Sequence, residues 1–175
     1  MKFSLLASAL CLTAACGGTD SVGTNTGAQI FIANTDSFVG FESWESFPFD
    51  SVDPNDTHTS GHRIVYLNKR PDAGATAFPV GTIIVKQITP GTDTAKTFAM
   101  VKRGGTYNSD GAPGWEWFEL DPSNPDSAPH LIWHGVTPLM GENYTGSSSG
   151  SCNDCHGADK TNDSVLAAPL LLSNL

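Results

Sequence analysis

The chain has 175 residues, enough for one domain with a real core, and its Lys+Arg 9 against Asp+Glu 18 give a net charge of −9. That balance argues against nucleic acid or an anionic lipid surface as a partner. Only 15% of residues are charged while Gly (18) and Pro (11) are plentiful, which points to a compact fold with long, turn-rich connections and not to a disordered chain.

Residues 1–15 read as an export signal. Lys2 supplies the positive start, and Phe3 to Ala15 form an apolar stretch too short to span a bilayer. The stretch ends in Leu12-Thr13-Ala14-Ala15-Cys16, which resembles a bacterial lipobox with Thr13 where Ala or Ser is commoner. In a lipobox the cysteine is acylated and becomes the mature N-terminus. The alternative is an ordinary signal cleaved after Ala15, which leaves Cys16 as an exposed thiol in an oxidising compartment. The lipoprotein reading places the chain on the periplasmic face of a bacterial membrane, the outer membrane in particular, anchored by acyl chains and not by charge.

Residues 16–29 are rich in Gly, Thr, Ser and Asn and read as a flexible tether, with the ordered domain expected over 30–175. Phe41, Trp44 and Phe47 recur every three residues, which predicts a short amphipathic helix over Val39 to Phe49, stopped at Pro48, its aromatic stripe facing the core. Asp50 to Gly61 is a polar loop. It holds His58, four residues before His62, and without a helix that spacing is a weak metal signal. His62 to Asn68 is a strand by β-branched and aromatic content.

Gly81 to Ile88 is the strongest strand of the chain, with Ile84, Lys86 and Ile88 on one face and Ile83 and Val85 on the other. Both faces are apolar, so the strand is central and Lys86 is a single cation among isoleucines. Burial lowers the pKa of such a lysine and makes it a nucleophile near neutral pH; otherwise its stem snorkels and the ammonium stays wet. Thr97 to Arg103 is a further strand. Gly114 to Leu120 is another, with Trp115 and Trp117 on one side and Glu116, Phe118 and Leu120 on the other. The loops 104–113 and 121–129 are long enough to wrap a cofactor. His130 and His134 would share a helix face as a metal pair, but the further ligands of such a site are not apparent nearby.

Thr145 to Ser151 is a Gly/Ser hinge that delivers Cys152-Asn153-Asp154-Cys155-His156. Two thiols three positions apart with an imidazole immediately after them form the attachment signature of a c-type haem. Each thiol adds across a vinyl group, and His156 reaches the iron from one face. A redox dithiol belongs at a strand-to-helix turn in a βαβ context, and a zinc site needs a second Cys/His pair. Ser151 and Asp154 have capping-box spacing and predict a short helix carrying Cys155 and His156. Asp163 is expected to cap a last short helix limited by Pro169.

Together these stretches resemble the cytochrome P-460 family, whose relatives include cytochrome c-prime-beta. The likeness runs from about Trp44 to the C-terminus. It is carried by Phe78-Pro-Val-Gly-Thr-Ile-Ile-Val-Lys86, by Pro113-Gly-Trp-Glu-Trp-Phe118, and by Cys152-Asn-Asp-Cys-His156 followed by Asp163-Ser-Val165. The resemblance implies an α+β fold, a mainly antiparallel sheet with flanking short helices and a C-terminal haem-binding segment, often in a homodimer. It implies one covalent haem c on Cys152 and Cys155, with His156 as proximal ligand of a five-coordinate iron. In members that oxidise hydroxylamine a lysine is also cross-linked to the macrocycle, and Lys86 matches its place. The relatives bind nitric oxide or similar gases without turnover. The run Gly146 to Ser151, which contributes to the distal pocket in the family, offers neither a carboxylate nor an aromatic cap, and Glu142 is the nearest acid before it. The competing expectation is an electron-transfer cytochrome with a six-coordinate iron. No methionine follows His156, so Met100 or Met140 would have to fold back as its sulfur ligand.

Overall fold

The computed structural model describes residues 28–51, 61–89, 96–123, 127–137 and 151–175. The signal segment, Cys16, His58, Met140, Glu142 and residues 146–150 lie outside the described residues. Among the described residues no helix is long and apolar enough to cross a membrane.

Two 3-10 turns, Thr35–Phe38 and Phe41–Ser43, precede six strands: β1 (Glu45–Ser51), β2 (Gly61–Leu67), β3 (Ile83–Thr89), β4 (Lys96–Lys102), β5 (Trp115–Asp121) and β6 (His130–Gly135). They form one antiparallel sheet in the order β1-β2-β3-β4-β5-β6, a meander in which each strand pairs with its sequence neighbours. The helix α1 (Cys152–His156) and two further 3-10 turns, Ala168–Leu170 and Leu172–Asn174, complete the described chain. The fold is therefore mainly antiparallel β with short helical pieces, as expected.

The strands expected from β-branched runs are β2 to β5, within a residue or two of the predicted bounds. The helix expected over Val39 to Phe49 is not formed. Gly40 takes a left-handed φ of 67° between the two 3-10 turns, and the chain then straightens into β1. Phe47 and Phe49 alternate onto one face of the sheet, and Pro48 is tolerated because β1 is an edge strand.

Each sheet face is covered by one end of the chain. On one face Tyr66, Ile83, Val85, Ala99, Val101, Phe118 and Leu120 pack with Phe38 and Phe41 of the N-terminal turns. On the other, Val65, Leu67, Ile84, Met100, Trp115, Trp117 and Trp133 pack with Val165 and Leu170 of the C-terminal segment. The alternation expected for β5 holds, since Trp115/Trp117 and Phe118/Leu120 fall in opposite clusters.

Strand β6 breaks the alternation. Glu119 pairs with Trp133 but Leu120 with Leu131, so Ile132 is an extra residue, a β-bulge. The bulge sends Leu131 to one core and Trp133 to the other. It also puts His130 and His134 on opposite faces, because His130 pairs with Asp121 and His134 with Phe118. The metal pair considered for a helix is thereby excluded.

Candidate functional site

Register defines the sheet face that the C-terminal segment covers. Across it run Phe47, Val65, Lys86, Phe98 and Glu119 as one cross-strand row, flanked by Phe49, Arg63 and Ile88 on one side and Leu67, Ile84, Met100 and Trp117 on the other. Against this face lies a cavity of about 1090 Å³, open mouth included, walled by Phe49, Val65, Ile84, Met100, Trp117 and Trp133. Lys86, Arg63, Cys152, Cys155 and His156 line the same cavity. The three residues of the CxxCH motif and the lysine of the GTxxVK strand, 66 residues apart at their nearest, are thus brought to one place.

Helix α1 starts where its capping box predicts. The Ser151 side chain accepts from the Asp154 backbone, and the Asp154 carboxylate accepts from Ser151 N at 2.6 Å. Asn153, between the two cysteines, locks the helix to the sheet. Its Oδ1 accepts from Asn108 Nδ2 (2.9 Å) and Trp117 Nε1 (3.1 Å), and its Nδ2 donates to Asn108 Oδ1 (2.9 Å) and Val136 O (3.1 Å). The loop 104–113 therefore holds the motif in place. A Cβ on Gly111 would stand 2.4 Å from Asn153 Cγ and 2.6 Å from Asn108 Oδ1. Gly111→Ala is expected to destabilise the protein by about 1–3 kcal/mol, read as a lower urea midpoint with an unchanged slope. An unchanged midpoint would mean that α1 is not seated on this loop.

The imidazole of His156 is held from two sides. The Trp117 ring lies against it at 4.7 Å between centroids, and Nδ1 lies 2.7 Å from the carbonyl oxygen of Ser164. A carbonyl only accepts, so Nδ1 carries the proton and donates. Burial, with a smaller push from the Lys86 cation, lowers the His156 pKa to about 4, against the opposing effect of the Ser164 hydrogen bond. The ring is therefore neutral at pH 7 with its Nε2 lone pair unprotonated, the state of a metal ligand whose orientation is fixed from behind.

Both cysteines are free thiols. Burial pushes Cys152 up to about 11, only partly offset by Lys86. A catalytic redox dithiol needs the opposite shift. Among the described residues no three His, Cys, Asp or Glu side chains are placed to hold a metal ion between them. The site thus offers an apolar wall, two thiols and a neutral imidazole to whatever it holds.

The remaining predicted residues lie elsewhere. His62 contacts Asp50 at 2.9 Å on the exposed edge of β1 and β2. His134 contacts Glu116 at 2.9 Å and stacks on Phe118, on the face away from the cavity. Asp163 caps no helix. It has a left-handed φ of 52°, and its carboxylate binds Lys102 Nζ at 2.6 Å and Phe78 N at 2.9 Å. Met100, considered as a sulfur ligand, does reach the cavity wall.

Arg63 and Phe98 also line the cavity, in addition to the residues expected from the sequence. Arg63 is 4% exposed, with its guanidinium over the Phe49 ring. Glu119 is half-buried in the Lys86 row, two strands away, or about 10 Å at the usual strand spacing. The alternation of β5 carried the signal for Glu119, since a residue two beyond Trp117 shares its face. Comparison with protein-family models, with curated proteins and with solved structures finds no match for the chain.

Proposed function

We propose that the chain is a cytochrome P-460-type protein: an exported, lipid-anchored, mono-haem c-type cytochrome that binds or oxidises small nitrogen species such as hydroxylamine or nitric oxide. The observation that carries this reading is the convergence of Cys152, Cys155, His156 and Lys86 on one apolar cavity, with the His156 ring turned so that Nδ1 is occupied and Nε2 is free. When bound there, a haem supplies an iron with an open coordination position for the nitrogen ligand.

The chain's own groups divide the work. Cys152 and Cys155 would each hold such a haem through one thioether, the thiol adding across a vinyl group with no change in electron count, and His156 Nε2 would be the ligand to its iron. The aromatic and aliphatic wall would exclude water, and Arg63, a buried cation on the same wall, would pair with a carboxylate of the bound group. Lys86 lines the same cavity and is read as the counterpart of the lysine that hydroxylamine-oxidising members of the family cross-link to their haem.

An optical spectrum of protein matured by the c-type assembly machinery tests the reading. The expected result is a five-coordinate ferrous iron that takes up nitric oxide, with a red-shifted, broadened Soret band that becomes ordinary in Lys86→Ala. An ordinary band in both proteins would make Lys86 a structural lysine and leave gas binding as the function. Met100 on the cavity wall favours one other reading, electron transfer with a sulfur sixth ligand. A low-spin, six-coordinate spectrum indifferent to nitric oxide would establish that reading instead. Intact mass reads the acyl chains on Cys16.

A further inference from the structure

Residues 161–165 form a turn whose geometry is costly at two positions. Asp163 and Ser164 are consecutive non-glycine residues in the left-handed region, with φ of 52° and 65°. Ser164 is 1% exposed, and its hydroxyl is buried with no hydrogen-bond partner. A glycine at 164 would remove both costs. The main-chain group that this conformation presents is the Ser164 carbonyl, 2.7 Å from His156 Nδ1.

The turn is anchored from several elements. Asp163 Oδ1 takes a proton donor from Lys102 Nζ of β4 at 2.6 Å, and Oδ2 takes one from Phe78 N at 2.9 Å. The Asp163 carbonyl accepts from Trp115 Nε1 of β5 at 2.7 Å. Lys102 in turn donates to Pro113 O at 2.9 Å and sits 4.9 Å from the Trp115 ring centre. Both members of the ion pair are largely buried, with side chains 11% and 14% exposed. On the other side of the turn, Asn162 donates to Val165 O and Leu170 O and accepts from Leu172 N. A surface ion pair is weak and adjustable, whereas a buried one is fixed in direction, because neither charge can move without losing its partner.

We infer that Lys102 and Asp163 form a positioning pair for His156: they hold the strained turn so that the Ser164 carbonyl fixes the imidazole as the Nδ1–H tautomer and aims Nε2 into the cavity. Neither residue touches the cavity group. They act through the carbonyl, and the sheet strand that bears Lys102 thereby sets the orientation and electron richness of the ligand nitrogen. The inference rests on His156 as an iron ligand for its functional meaning, while its structural content stands without haem.

Two measurements test it. Lys102→Met with Asp163→Asn removes both charges together, which avoids a buried unpaired ion and keeps the chain foldable. In the full chain produced without haem, ¹⁵N shifts of the His156 ring at pH 7 are expected to show the Nδ1–H tautomer, and a shift towards the Nε2–H form in the double variant. In haem-loaded protein the same change is expected to lower the iron–histidine stretching frequency and raise the midpoint potential, since a looser Nδ1–H bond makes the imidazole a poorer electron donor. A folded double variant with the parent's tautomer would overturn the inference. So would an unchanged stretching frequency and potential. If the matured parent takes up no haem at all, the proposed function fails and the tautomer experiment still decides the positioning role.

Discussion

Cys152→Ser combined with Cys155→Ser is expected to reduce covalently held haem from one equivalent per chain to none. A serine hydroxyl does not form the thioether, and the described structure offers no other thiol in the cavity. Each single variant retains one sulfur and is expected to keep haem through denaturation, with a shifted α-band from the unsaturated vinyl group that remains. The cost to folding is small by comparison. Cys155 is exposed and Cys152 is partly buried against the core, so the replacements cost about 1 kcal/mol. Denaturing gels stained for haem, together with intact mass, read the result. Haem retained in the double variant would place the attachment elsewhere and remove the basis of the proposed site.

The second large effect is on stability. The full chain without haem is expected to lose of the order of 2–3 kcal/mol of unfolding free energy as pH falls from about 6.5 to about 4. The sign follows from His156. Its pKa is depressed to about 4 in the folded chain from 6.5, so over that interval the unfolded state binds a proton that the folded state refuses, and stability rises with pH. Lys86, the cation facing the ring across the cavity, acts in the same direction, and the Ser164 carbonyl opposes it. The window is diagnostic. Glu45 and Asp159 are held below their ordinary values of 4.5 and 3.8 by Arg70 and Thr161, and their contributions fade only below about pH 4.5. Urea titrations at pH 7 and 4.5 measure the difference, and His156→Gln is expected to abolish most of it. An equal loss in the variant would assign the effect to other groups.

Much of this was legible in local pattern. Strand β3 declares itself by its isoleucines, β5 by its alternation, and α1 by Ser151 and Asp154. The parts that were not legible depend on distant partners. Phe41, Trp44 and Phe47 fit a helical stripe as well as a turn leading into a strand, and pairing of Phe47 with Val65 on β2 decides for the strand. His130 and His134 are separated by a bulge visible only in the register of β5 against β6. Asp163 has the composition of a cap, but its carboxylate is taken by a lysine 61 residues earlier in the chain. Arg63 belongs to the site only through its cross-strand row. Lys86 was the exception, singled out as a cation on an apolar strand and placed by the fold on the cavity wall.

The meander also dictates an order of assembly. Each strand finds its partner among its sequence neighbours, so no pairing has to close more than the chain between Leu67 and Ile83, at modest entropic cost. The C-terminal segment docks through contacts spanning 61 and 85 residues, Lys102 to Asp163 and Phe78 to Asp163, which are the kinetically expensive ones. The sheet is therefore expected to form before the segment bearing the two thiols docks. Until then Cys152 and Cys155 stay open to solvent while the sheet face they will pack against already exists. A motif at the far end of a meander is in this sense a door that shuts last.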